Sequence, residues 1–391
     1  MTSPTSSEPG VRSVESDTEL AQVVDTLRSE PEYGLDTEFM AEKTYYPQLC
    51  LVQLSWPGGI ALVDPFACDV RALAAVLDEP ATMVTHAGGA DLPIVERATG
   101  ARPRNLFDTQ LAAGFVGLGQ PSLVSLVTAV LDVRLDKGDQ LADWTRRPLP
   151  ASARRYAAGD VEHLLPLAAA LRARIAELGR TEWVAAEADL LLRTPARDAD
   201  PDAAWWRIKG ARALRGERAC IAQALGAWRE RRAQQTDRPP RFVLPELALA
   251  AIVQRPPSTV DELARVRGAG SLPSGVARGI LEAIEQGRAM ERTSLRAPPR
   301  HGDDPAVDAA VGLLTGWAAQ VAAGEQVDAR LLAIRDDVKA LVNGRPNRLD
   351  GGWRAEMLGD DLHALVRGDA VVRLVESGRR LSLERGDSPP R

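Results

Sequence analysis

Cysteine is scarce in this chain of 391 residues. There are three, Cys50, Cys68 and Cys220, odd in number and far apart. They form no CxxC pair, which argues against both a disulfide framework and a thiolate zinc site. Histidine is nearly as rare, and His301 and His363 show no metal-ligand spacing. The dipeptide Gly-Lys does not occur, so there is no GxxxxGK[ST] loop to cradle a triphosphate. A helicase is excluded on that ground, and no nucleotide triphosphate cofactor is expected. No apolar run is read as long enough to span a membrane. The opening stretch MTSPTSSEPG lacks the basic region and apolar core of a signal peptide and reads as a disordered tail. A cytoplasmic protein without membrane association is the expectation.

Lysine is almost absent too, so nearly all positive charge is arginine. Arginine favours bidentate phosphate contacts, although a high-GC coding bias would leave the same mark. The length allows two or three domains. An apolar fraction of 45% with 26% charged residues is that of a globular chain. The net charge of −6 is unusual for a protein that meets nucleic acid. Charge is unevenly spread, however. Residues 203–240 carry nine basic side chains against Glu217, Glu230 and Asp237. That stretch reads either as a solvated helix face or as a phosphate-contacting one.

Three short segments carry the chemistry. In GLDTEF, alternation along a strand puts Asp36 and Glu38 on one face. Two acids there suit a cation better than an apolar core. The tripeptide alone decides nothing, because Asp17-Thr18-Glu19 repeats it at the start of a helix. There Leu20, Val23, Val24 and Leu27 follow at helical spacing, and Ser16 with Glu19 reads as a capping box. In THAGGADL, a strand at 83–86 and a glycine turn precede a helix that starts near Ala90. Asp91 then lies in its first turn, where the helix dipole favours an acid. In YAAGDV, within a helical pattern over 151–178, Tyr156 and Asp160 are four apart and share a face. Gly159 in mid-helix costs about 1 kcal/mol against alanine and hints at close approach to that face. His86 and His163 lie beside these segments and read as packed or substrate-facing.

Four carboxylates within about 6 Å repel by roughly 3 kcal/mol per pair at an effective dielectric near 20. A fold tolerates that by protonating some of them or by binding cations. Oxygen-only donors suit Mg²⁺ or Mn²⁺. Two such ions about 3.5–4 Å apart can clamp the attacking and leaving oxygens of a phosphoryl displacement.

The three segments resemble the exonuclease motifs of the DEDD superfamily of 3′–5′ exonucleases, specifically the ribonuclease D family. GLDTEFMAEKTYYPQLCLVQLSW, THAGGADL, LFDTQLAA, LDKGDQLADWTRRPL and YAAGDVEHLLPL follow in that family's order over residues 14–195. The resemblance implies an α/β ribonuclease-H-like fold, a mixed sheet flanked by helices. It implies that Asp36, Glu38, Asp91 and Asp160 ligate two divalent ions, Mg²⁺ or Mn²⁺. Tyr156 would orient the attacking water, placing the chain in the superfamily's tyrosine branch, since position 155 is arginine and not histidine. The implied activity is removal of nucleotides from RNA 3′ ends, tRNA precursors being the family's usual substrate.

Residues 203–292, chiefly LGAWRERRAQQTDRPPRFVLPELALAAIVQRPPS, resemble the all-helical HRDC domain, an accessory nucleic-acid-binding bundle. Arg229, Arg231 and Arg232 are its expected phosphate contacts. The expected organisation is a disordered tail over 1–13, the exonuclease domain over 14–195, a linker over 196–202 and the HRDC domain over 203–292. A linker over 293–305, a second HRDC-like helical domain over 306–385 and a tail over 386–391 complete it. Further helices are expected at 219–232, 245–253, 259–265, 274–288, 306–323, 327–343 and 359–366. A DNA exonuclease and a catalytically silent RNA-binding protein are the alternatives. Metal-dependent digestion of RNA beside DNA separates all three.

Overall fold

The computed structural model describes residues 10–135, 142–195, 198–269, 272–296 and 305–385. The expected tail at 386–391, His301 and much of the expected linker over 293–305 lie outside these residues. Among the described residues the chain divides into two compact units. One comprises the described parts of Met1–Glu38, Cys50–Pro195 and Gly302–Arg391; the other comprises those of Phe39–Leu49 and Ala196–His301.

The first unit is built on a six-stranded sheet. Its strands are β1 (Gly10–Val14), β2 (Glu32–Met40), β3 (Gln48–Trp56), β4 (Gly59–Val63), β5 (Thr82–Thr85) and β6 (Asn105–Asp108), in the order β1-β4-β3-β2-β5-β6. β3 and β4 form the expected antiparallel hairpin, while β2, β5 and β6 run parallel. Residues 10–13, expected as tail, instead form most of β1, which pairs in parallel with β4 from Gly10↔Gly59 to Val14↔Val63. Ladder bonds to β4 and the buried Val14 hold that segment, a pairing no local pattern announces.

The helices of this unit are α1 (Asp17–Leu27), α2 (Ala74–Leu77), α3 (Asp91–Thr99), α4 (Thr109–Gly114), α5 (Leu123–Leu131), α6 (Ala151–Glu162), α7 (Leu164–Glu177) and α8 (Thr181–Arg193). α1 buries Leu20, Val23, Val24 and Leu27, the face its spacing predicts. The Ser16 hydroxyl accepts from the Glu19 N–H, and the Glu19 carboxylate accepts from the Glu15 N–H. The continuous helix expected over 151–178 is broken at His163 (φ −103°, ψ 2°). Pro166 explains the break: it has no N–H to offer the Glu162 carbonyl, and its ring crowds that carbonyl.

Gly34 on β2 lets α6 and α7 close onto the sheet. A Cβ there would sit 2.2 Å from Ser55 Oγ and 3.3 Å from a Leu164 methyl. Ser55 Oγ meanwhile donates to the Val161 carbonyl at 2.9 Å, tying β3 to α6.

The second unit contains α9 (Glu217–Thr236), α10 (Pro240–Val243), α11 (Glu246–Gln254), α12 (Val260–Ala264) and α13 (Ser274–Ala289). Trp205, Ile221, Leu225, Leu249, Ile252, Ile280 and Ile284 lie in its core. α9 is buried nearly all round, and α13 crosses it so closely that a Cβ on Gly287 would lie 2.5 Å from the Ile221 Cα.

The C-terminal part belongs to the first unit. It comprises α14 (Pro305–Gly324), α15 (Ala329–Leu332), α16 (Arg335–Val342), α17 (Gly352–Arg354) and α18 (Asp360–Arg367), then an antiparallel hairpin of β7 (Ala370–Val375) and β8 (Arg380–Arg385). The hairpin is an addition to the all-helical expectation, and the helix expected over 327–343 is interrupted at residues 333–334. α14 also corrects the reading of apolar runs, because by length and composition it is long and apolar enough to cross a membrane. Val311, Leu314, Ala318 and Ala322, at spacings of three and four, are nonetheless buried within the protein.

A buried polar lock fastens this C-terminal part to α8. The Arg354 guanidinium donates to both carboxylate oxygens of Glu187, at 2.5 and 2.7 Å, and to the Leu331 carbonyl at 2.8 Å. Trp353 Nε1 donates to Glu187 at 3.0 Å, and its ring stacks on Trp183 with centroids 5.4 Å apart. Arg180 donates to the carbonyls of Phe115 and Glu325. Arg354→Ala strands a buried carboxylate, and we expect it to lower stability by about 3–5 kcal/mol in urea unfolding. Gly34→Ala must displace Ser55 or Leu164. It is expected to lower the melting temperature and, by shifting α6, to reduce turnover in the same preparation.

Candidate active site

The C-terminal ends of parallel strands β2 and β5 lie at one edge of the sheet, where open α/β sheets gather their functional groups. β2 presents Asp36 and Glu38 on one face, as alternation requires. α6 presents Asp160 toward them. Ligand atoms of Asp36, Glu38 and Asp160 all lie within 4.8 Å of one another. Asp91 opens α3 just beyond β5, and its Oδ1 accepts from the Thr37 hydroxyl on β2. Tyr156, one turn before Asp160, hydrogen-bonds to its carboxylate, and its ring lies 6.1 Å from the buried Trp144. Asp36, Tyr156 and Asp160 line a cleft of about 1660 Å³, together with His86, Gln110 and His163.

Electrostatics sets this cluster apart. Burial pushes the Asp36 carboxyl well above its usual range, and the charges of Asp91, Asp160 and Glu38 push it further. Burial, then Asp160 and Asp91, raise Glu38 to about 8. Asp91 rises to about 6 by burial, moderated by the Thr37 hydrogen bond. Asp160 also rises to about 6 by burial, moderated by Tyr156. The donor set is all oxygen and the charges that raise these carboxyls are all acidic, which fits a hard divalent cation.

Asp108, at the start of α4, supports the second segment. Its carboxylate accepts from the N–H groups of Ala87, Gly88, Gln110 and Leu111, so it holds the turn that leads into α3. Ala87 is kept there in the left-handed region at φ +58°. His86 Nδ1 bonds the Thr109 hydroxyl at 2.9 Å, and burial lowers its pKa, which favours a neutral ring. Nothing lies within 4 Å of a Cβ placed on Gly159, so this glycine leaves open room on the cleft side of α6. The exposed Arg134, Arg154 and Arg155 line the same cleft.

Sequence reasoning missed Thr37, Asp108 and these three arginines. It also needs correction at Arg229. That side chain is 4% exposed, and its guanidinium donates to the Leu244 carbonyl and to Glu246, so it fastens α9 to α11 and does not face a phosphate. Arg231 and Arg232 are exposed, Arg231 lying 3.7 Å from Asp202.

Comparisons with known proteins show the family. A family model described as 3′–5′ exonuclease matches residues 11–176, and an HRDC domain model matches residues 219–273. Ribonuclease D of Acidiphilium cryptum is 36% identical over 382 residues, covering 95% of this chain and 96% of its own. Ribonuclease D of Gluconacetobacter diazotrophicus is 35% identical over 363 residues, covering 90% and 92%. The crystal structure of Escherichia coli RNase D, described as an exoribonuclease involved in structured RNA processing, matches with a TM-score of 0.80 and 30% identity, over 92% of this chain and 99% of that one. The chain belongs to the ribonuclease D family of metal-dependent 3′–5′ exoribonucleases, its exonuclease domain being followed in sequence by an HRDC domain.

Proposed function

We propose that Asp36, Glu38, Asp91 and Asp160 hold two divalent ions, Mg²⁺ or Mn²⁺, and that Tyr156 orients the water that attacks the terminal phosphodiester. The observation that carries this reading is the convergence of Asp36, Glu38 and Asp160 ligand atoms within 4.8 Å. Bound ions would supply Lewis-acid stabilisation of the charge that develops on the phosphoryl oxygens.

The remaining roles fall to the chain itself. Tyr156 keeps its phenol beside Asp160 through their hydrogen bond, so the attacking oxygen has a fixed partner. Thr37 holds the Asp91 carboxyl against β2. Arg134, Arg154 and Arg155 on the cleft wall suit the phosphates upstream of the scissile bond. Arg231 and Arg232 on the HRDC domain offer a second set of phosphate contacts. The RNA ends served are those of tRNA precursors, in the cytoplasm.

A 3′-labelled oligoribonucleotide tests the assignment. Asp36→Ala should reduce metal-dependent release of label to background. Tyr156→Phe should lower kcat by about 10²–10⁴-fold. Retained turnover in Asp36→Ala, or full activity of the wild type in EDTA, would count against it.

The raised carboxyl pKa values make a second prediction, whose sign follows from proton linkage. Free carboxyls titrate near about 4. In the fold Asp91 and Asp160 titrate near about 6, Glu38 near about 8 and Asp36 well above its ordinary range. Between roughly pH 4 and pH 8 the folded state therefore binds more protons than the unfolded one, and stability falls as pH rises. Calorimetry in EDTA should show a lower melting temperature at pH 8 than at pH 5. Mg²⁺ should restore most of the difference at pH 8, and Asp36→Asn should flatten the decline. A melting temperature independent of pH in EDTA would contradict a cluster of mutually repelling carboxylates.

A further inference from the structure

One polar side chain is sealed beside the carboxylate cluster without a partner. Gln53, on β3, is 0% exposed, and neither its Oε1 nor its Nε2 has a hydrogen-bond partner. Among the described residues it is the one buried side chain with two polar atoms left in this state. A buried amide without partners costs stability, and an apolar side chain of similar size would pack there at no such cost. The amide therefore calls for an explanation.

The strand order places this amide beside Asp36. β2 and β3 are neighbours in the sheet. The connection from Met40 to Gln48 is too short for the crossover that parallel neighbours need, so the two run antiparallel. A Cβ on Gly34 would lie 2.2 Å from Ser55 Oγ, which sets Gly34 opposite Ser55 on the α6 side of the sheet. Two residues along each strand, Asp36 comes opposite Gln53 on that same side. On its other flank Gln53 pairs with Leu62 of β4. Asp36 and Leu62 both line the cleft, so Gln53 lies between two cleft-lining side chains.

The side chains directly beside Gln53 on this face leave one polar group for it to serve. Leu51 and Leu62 are apolar, and Ser55 spends its hydroxyl on the Val161 carbonyl at 2.9 Å. Asp36 remains. Cβ atoms of opposite residues lie about 4.5–5.5 Å apart, a gap that a glutamine side chain spans. RNA cannot reach an amide that solvent does not touch, so Gln53 acts through a neighbour and not on the substrate.

We propose that Gln53 is a positioning residue for Asp36: its Nε2 donates to the Asp36 carboxylate oxygen that bound cations leave free, and so fixes the orientation in which Asp36 meets them. Carboxylates that hold metal ions are themselves hydrogen-bonded from behind, and those partners tune affinity. An amide kept unpartnered beside such a carboxylate is a donor available to it. The proposal rests on the assignment of Asp36 as a metal ligand given above.

Calorimetric titration of the full-length protein with Mn²⁺, without RNA, tests it alongside melting in EDTA. Gln53→Met removes the donor and keeps nearly the same volume. Its Mn²⁺ affinity should fall on the order of 10- to 100-fold, while its melting temperature in EDTA should not fall. The Mg²⁺ concentration that gives half-maximal turnover of an oligoribonucleotide should rise by a similar factor. Gln53→Leu carries the same expectations if the methionine variant fails to fold.

Asp36→Ala serves as the control for the site itself. If that variant loses Mn²⁺ binding while a folded Gln53→Met or Gln53→Leu binds it like wild type, the site assignment stands and Gln53 has no positioning role. A melting temperature lowered in EDTA in both Gln53 variants, or failure of both to fold, would make Gln53 a packing residue and equally overturn the proposal. Wild-type Mn²⁺ affinity in Asp36→Ala would remove the site assignment and this proposal together.

Discussion

Mutual repulsion among crowded, half-buried to buried carboxylates is the constraint around which the catalytic domain is arranged. Asp36, Glu38, Asp91 and Asp160 come from three segments spread over more than a hundred residues, and each raises the charging cost of another. Left alone, such side chains would splay toward water. They stay together because the elements that carry them are fixed by other means. β2 sits inside the sheet with β5 beside it, so the start of α3 must arrive next to Thr37. α6 is drawn onto the sheet at Gly34 and tied there by Ser55. The apolar core thus bears a strain that the site requires and that the hydrogen bonds from Thr37 and Tyr156 relieve only in part.

How much of this was legible in the sequence depended on the range of the interaction. Period-two alternation placed Asp36 and Glu38 on one face, and a separation of four placed Tyr156 above Asp160. Both are properties of a single element and need no tertiary information. Thr37 and Asp108 were not legible, because each acts on groups that only the fold brings near: an acid from another element, and a turn twenty residues upstream. Arg229 shows the opposite failure. A run of arginines on a helix reads as a solvated or phosphate-facing stripe, but α9 lies in the middle of its bundle, so one of those arginines had to be inside. Buried, it took a carbonyl and a glutamate as partners. The boundary errors have similar causes. β1 exists only because β4 offers a partner, whereas the break at His163 could have been read from Pro166.

A net charge of −6 and an RNA substrate are compatible for reasons visible in this fold. The negative charge that matters most is gathered at the carboxylate cluster, where cations would reverse the local field. Around it, Arg134, Arg154 and Arg155 line the cleft. The approaching phosphate backbone therefore responds to the local arrangement and not to the formal total. The same reasoning explains why scattered acids elsewhere are no hindrance. Many are spent on arginines, as in the Glu187–Arg354 lock, and leave little field behind them.

Stability and function are joined here by thermodynamic linkage. The free energy that the metal-free fold loses by crowding ionised carboxylates is not lost to the enzyme. A cation that binds only the folded arrangement recovers it as affinity, because binding and folding share one cycle. An arrangement with neutral side chains at these positions would give a more stable apo-protein and a weaker cation site. Stiffness around the cluster then has a direct purpose. If β2, α3 and α6 could relax apart, the repulsion would dissipate as motion, and no cation would be needed to oppose it.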